Sequence, residues 1–167
     1  MNAMQRASWS MRLFYHRSVV TQVSVIGSGV ENEAAAEEVG RLLAERGVTV
    51  VCGVLGEVMA AAARGAKSAG GTTIGVLPGT SRREANEWID HAVATGIGHA
   101  RNLAVAASGD GVIAVGGKFG TLTEIAFALM LGRPVVLLGP GPQIEGVARV
   151  ESAVEAVDFV LSRIDRP

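Results

Sequence analysis

The stretch Val112-Ile113-Ala114-Val115-Gly116-Gly117-Lys118-Phe119-Gly120-Thr121-Leu122-Thr123-Glu124 decides the fold. Four apolar residues, Val112 to Val115, read as a buried strand. Three glycines within five residues follow, and from about Thr121 the spacing turns helical. A strand that passes through glycines into a helix leaves N–H groups unpaired where the helix dipole is positive. Such a helix start attracts phosphate or carboxylate. Glu124, one turn in, puts a carboxylate beside that anion site. It also completes a Thr121-x-x-Glu124 capping box, which is the structural alternative for the same residue.

Working outward, short Val/Ile runs alternate with Ala-rich amphipathic segments. Strands are expected near 19–26, 48–51, 72–77, 91–95, 112–115, 134–138 and 147–150. Helices are expected over 31–46, 57–69, within 96–108, over 121–131 and from Ser152 onward, where Ser152 and Glu155 form a capping box. This alternation with short turns predicts an α/β, Rossmann-like, doubly wound and mainly parallel sheet with helices on both faces. Ligands of such sheets sit beyond the carboxyl ends of the strands. Three glycine turns fall there: Gly27-Ser28-Gly29, the 53–56 turn opened by Gly53, and Gly116 to Gly120.

The totals narrow the function. The 167 residues are enough for one domain, read as 18–167 after a flexible tail at 1–17. A net charge of −1 argues against nucleic-acid binding through phosphate neutralisation. A single cysteine, Cys52, suits a reducing cytoplasm. His16, His91 and His99 lack metal-ligand spacing, so no metal is expected. No apolar run has the length to span a membrane. The helix over 121–131 is apolar nearly all round, which calls for cover from the sheet and from a second subunit, hence a homodimer or higher homo-oligomer.

Gly27-Ser28-Gly29 resembles the start of a dinucleotide fingerprint, but Asn32 stands in place of the third glycine. The second strand ends in Val50-Val51-Cys52, without the acid that would hold an NAD ribose.

The turn Gly116-Gly117-x-x-Gly120-Thr121-x-x-Glu124, with Thr95-Gly96, Ala100-Arg101-Asn102 and Ser108-x-Asp110, resembles the LOG-like Rossmann family, whose members often carry a lysine decarboxylase label. Within it the chain is most similar to the molybdenum-cofactor carrier branch. The resemblance spans roughly residues 20–165. It implies a phosphorylated, nucleotide-like ligand held by Gly27, Ser28, Gly29, Gly53, Asn102, Gly116, Gly117, Gly120 and Thr121, with no cofactor required. It also implies Arg101 and Glu124 as the catalytic pair of a phosphoribohydrolase that cleaves the N-glycosidic bond of nucleoside 5′-monophosphates. In that chemistry a carboxylate stabilises positive charge building on the ribose and orients water. The alternative is a non-catalytic carrier of molybdopterin. Two departures bear on the choice. Val115 replaces the proline that LOG enzymes usually carry before the glycine pair. The 52–59 loop has Val54 and Glu57 where relatives are richer in glycine, and a carboxylate there opposes phosphate. Decarboxylation is not expected, because neither Lys67 nor Lys118 lies in a pyridoxal phosphate motif.

Overall fold

The computed structural model describes residues 20–141 and 143–164. The expected tail at 1–17 lies outside them. Seven strands form one parallel sheet: β1 (Gln22–Ser28), β2 (Thr49–Cys52), β3 (Thr73–Leu77), β4 (His91–Ala94), β5 (Gly111–Gly116), β6 (Val135–Leu138) and β7 (Ala148–Val150). Their spatial order is 4-3-2-1-5-6-7. The chain winds outward from β1 to β4, then returns to the other side of β1 at β5. The reversal of winding therefore falls between β1 and β5, where a crevice opens in folds of this kind.

Among the described residues five helices cover the two faces: α1 (Glu33–Glu45), α2 (Glu57–Ser68), α3 (Arg101–Ser108), α4 (Phe119–Met130) and α5 (Ala153–Arg163). Alternate residues of β5 point to opposite sides, as strand geometry requires. Ile113 and Val115 pack with α1, α2 and α5, through residues such as Val39, Leu43, Val58 and Val157. Val112 and Ala114 pack with Val105 of α3 and Ile125 of α4. All six residues of β5 are buried, which explains its uninterrupted apolar run. Helices α1 and α2 approach closely enough for backbone contact. A Cβ on Gly40 would strike the Ala62 carbonyl, and one on Gly65 the Glu37 carbonyl.

The sequence places most elements within two residues. The Ser152–Glu155 capping box at α5 forms as expected, with both reciprocal bonds present. Two of the boundary differences matter at the site. Strand β1 continues through Gly27 and Ser28, which pair with Val115 and Gly116. Gly27 permits this because any side chain there would collide with the Val115 carbonyl. Helix α4 begins at Phe119 rather than Thr121, capped by Lys118 without a side-chain bond. Two of the residues that carried the family resemblance hold the frame. Thr95 Oγ1 donates to the Leu77 carbonyl at 2.7 Å, and Asp110 accepts the Gln22 N–H at 2.9 Å. Among the described residues no helix is long and apolar enough to cross a membrane.

Candidate functional site

The carboxyl ends of β1 and β5 and the starts of α3 and α4 meet at a cleft of about 290 Å³. Its wall includes Gly27, Ser28, Arg101, Asn102, Gly120, Thr121 and Glu124, which are seven of the eleven residues expected from sequence, together with Leu55, Met59, His99 and Lys118.

At the centre is a buried ion pair. Arg101 opens α3 and is 8% exposed; Glu124, in the second turn of α4, is 5% exposed. Arg101 Nη1 lies 3.7 Å from Glu124 Oε1, an electrostatic contact too long for a hydrogen bond. Burial pushes the Glu124 carboxyl up to about 7, against the opposing pull of the Arg101 charge. Burial likewise lowers the Arg101 pKa while Glu124 raises it. The capping box that was the structural alternative for Thr121 and Glu124 does not form. Because α4 starts two residues earlier, Thr121 falls inside its first turn. Glu124 turns across to α3 rather than back to its own helix start.

Among the described residues Arg101 Nε and Nη1 have no hydrogen-bond partner, and neither does the Ser28 Oγ; all three atoms are shut off from solvent. Buried donors without partners are costly, and these three sit on two residues of one cleft wall.

The glycines divide by role. Gly120 faces open space, so it is the one that exposes the helix start. Gly116 and Gly117 were expected to admit a ligand, yet their side-chain positions are already claimed by the protein. A Cβ at Gly116 would collide with Asn32 Nδ2, and one at Gly117 with Thr121. Asn32 Nδ2 donates to the Ser28 carbonyl at 2.8 Å, so the residue replacing the third fingerprint glycine braces the β1 turn against the β5 turn. Gly53 lies directly under the Arg101 guanidinium, and a Cβ there would displace it. Gly29 does not line the cleft, and the Glu31 carboxylate lies over it.

Asn102 lines the cleft, but its amide is engaged. Nδ2 donates to Thr123 Oγ1 at 3.0 Å and to the Gly120 carbonyl at 3.4 Å. It holds the start of α4 in place.

The loop after β2 departs most from an open glycine turn. Val54 has φ 71°, and the Leu55 N–H donates to the Gly53 carbonyl at 2.9 Å, closing a γ-turn around a β-branched residue. Such backbone costs on the order of 1–3 kcal/mol and persists only where packing enforces it. Val54 is buried with Cys52, Met59 and Leu77. The turn presents Leu55 to the cleft as an apolar lip, while Glu57 is exposed and outside the lining. Cys52 is buried, which pushes its thiol up to about 11 and leaves it an unreactive part of the core.

Sequence reading missed Asn32, Leu55, Met59 and His99 as parts of this region, and it gave no place in the site to Lys118, which lines the cleft as an exposed loop residue. His99 carried one usable signal, its place two residues before Arg101. A second hollow of about 410 Å³, lined by Phe119, Phe127 and Thr123 among others, adjoins the cleft and shares His99, Asn102 and Gly120 with it.

Comparison with known proteins agrees with this geometry. An uncharacterized protein of Archaeoglobus fulgidus is 43% identical over 144 residues, covering 84% of this chain and 95% of its own length. The molybdenum cofactor binding protein of Rippkaea orientalis superposes with a TM-score of 0.80 at 31% identity, over 86% of this chain and 97% of that one. The molybdenum cofactor carrier protein of Chlamydomonas reinhardtii gives 0.78 at 33% identity, over 86% and 98%. The pattern of the SLOG cluster4 family matches residues 20–161. With its LOG-like fold and its nearness to the molybdenum-cofactor carriers, the chain belongs to the SLOG cluster4 family.

Proposed function

We propose that this protein binds a phosphorylated small molecule of the molybdopterin type in the β1/β5 cleft and carries it unchanged. The observation that supports this most is the set of unpartnered buried donors, Ser28 Oγ and Arg101 Nε and Nη1, beside the open helix start at Gly120. These groups fit a phosphate or another oxygen-rich anion. Similarity to two proteins named for the molybdenum cofactor supplies the kind of cargo. Gly27, Ser28, Gly120 and Thr121 would hold the anionic end. Gly53 supports Arg101 from beneath, and Asn102 fixes the helix start. Gly116 and Gly117 keep the β5 turn closed against Asn32 and Thr121. A cytoplasmic location goes with this reading.

A second reading is favoured by the Arg101–Glu124 pair, which sits where the family's hydrolytic pair is expected. In it the protein hydrolyses the N-glycosidic bond of a nucleoside 5′-monophosphate. Arg101 orients the ligand, and Glu124 stabilises positive charge on the ribose and orients water.

One experiment separates the two. The protein is titrated anaerobically with purified molybdenum cofactor, and in parallel incubated with a panel of nucleoside monophosphates while free base is measured. The carrier reading expects saturable cofactor binding with no base released. Base release that disappears in Glu124→Ala would replace it with the hydrolase, and absence of cofactor binding would remove it.

We also propose a homodimer formed over the outer face of α3 and α4. Phe119 and Met130 are 86% and 81% exposed, with Leu103 and Leu131 close to half exposed beside them. Light scattering at micromolar concentration is expected to give twice the chain mass, falling to one chain in Met130→Glu.

A further inference from the structure

We infer that Lys118 is the residue that gives the cleft its net positive charge and makes it select a phosphate monoester over singly charged anions. The inference rests on the proposed anion site and concerns which anion it takes.

The charges around the cleft nearly cancel without Lys118. Arg101 faces Glu124 at 3.7 Å, so the buried cation already has its counter-charge whenever Glu124 is ionised. Glu31 and Glu57 lie outside the lining. What remains is the start of α4. Its first internal hydrogen bond runs from the Leu122 N–H to the Lys118 carbonyl at 3.0 Å. The N–H groups of Phe119, Gly120 and Thr121 therefore have no partner within the helix, a polarity equivalent to roughly half a positive charge.

Lys118 is the cap residue of that helix start, lines the cleft and is exposed. It makes no hydrogen bond or ion pair among the described residues. A flexible ammonium ion beside three free N–H groups adds a full charge at the point where a phosphate would sit. Below it, the nine-tenths-buried Arg101 and the Ser28 hydroxyl offer unpartnered donors. The inner groups recognise oxygen atoms and would accept a carboxylate as readily as a phosphate. Lys118 distinguishes one charge from two. As its side chain makes no capping bond, replacing it leaves the helix start intact.

Inorganic phosphate and acetate are the probes, titrated into the full-length protein by calorimetry near pH 7.5 at low salt, with adenosine 5′-monophosphate and molybdopterin as separate arms for the source of the phosphate. Lys118→Met is expected to weaken phosphate binding about ten-fold, the size of one exposed charge-assisted hydrogen bond, and to weaken acetate binding by a clearly smaller factor. Lys118→Arg is expected to restore most of the loss, and the wild-type advantage is expected to shrink as salt rises. Equal phosphate affinity in wild type and Lys118→Met, or equal losses for phosphate and acetate, would overturn the inference, as would a wild-type protein that binds no phosphate. Phosphate binding that depends on Lys118 in a protein that ignores molybdopterin would support the inference while removing the carrier reading.

Discussion

Arg101→Met is expected to lower ligand affinity at least about a hundred-fold, because two charge-assisted donors are lost together. Among the described residues no neighbouring cation replaces them from within: Arg101 is the buried one, and Lys118 reaches the cleft from its exposed rim. Methionine keeps much of the apolar stem volume, so the effect reads the guanidinium rather than a cavity. The same variant has a second signature. Removing one partner of a buried ion pair usually destabilises by about 3–5 kcal/mol, since the other charge is stranded. Here Glu124 has an escape. Its carboxyl already titrates at about 7 with Arg101 present, and without that cation it moves higher and takes up a proton. The stability loss is therefore expected to be small at pH 6 and to grow through pH 8.5, as urea unfolding at the two values measures. Binding retained within a few-fold would show that Arg101 serves the frame alone, and the unpartnered nitrogens would lose their meaning.

The sheet was legible because its information is local. Glycine and proline end the Val/Ile runs, and 3–4 spacing marks α1, α2 and α5 within two residues. The pairing of Arg101 with Glu124 was legible only through family resemblance, since they lie 23 positions apart and no spacing rule connects two helices across a sheet end. What stayed hidden was what each glycine makes room for. Gly116, Gly117 and Gly120 look alike in a string of letters, yet Gly120 opens to solvent while the other two accommodate Asn32 and Thr121. Glycine reports that a Cβ is not tolerated; the neighbour that forbids it comes from elsewhere in the chain. Asn32 shows the same limit from the other side, since as a missing glycine it looked like a defect and in space it braces two turns. The Thr121–Glu124 capping box, the structural alternative for Glu124, is ruled out by a helix start two residues earlier. Helix ends are where local signals are least decisive.

Stability is expected to fall as pH rises from about 5 to 8, and Glu124 is expected to be the source. Its folded pKa of about 7 stands above its ordinary value of 4.5, so across that interval the native state binds more protons than the unfolded one. The contribution favouring the fold is complete below 4.5, is lost as pH climbs through 7, and then levels off. A shift of this size corresponds to about 3 kcal/mol, and Glu124 is too deeply buried for solvent to screen much of it. The carboxylates with lowered pKa values, Glu37, Glu38, Asp90 and Glu155, act below their ordinary range and leave this window untouched. Glu124→Gln cannot titrate, so its unfolding free energy should lose this slope even if its absolute stability changes. A slope that survives the substitution would place the proton elsewhere. The same proton separates the two functional readings. A carrier that holds an anion beside Glu124 gains affinity as the carboxyl is neutralised, so binding strengthens from pH 8 to pH 6. A hydrolase needs the ionised carboxylate to meet positive charge on the ribose, so its rate rises over the same span in the opposite direction.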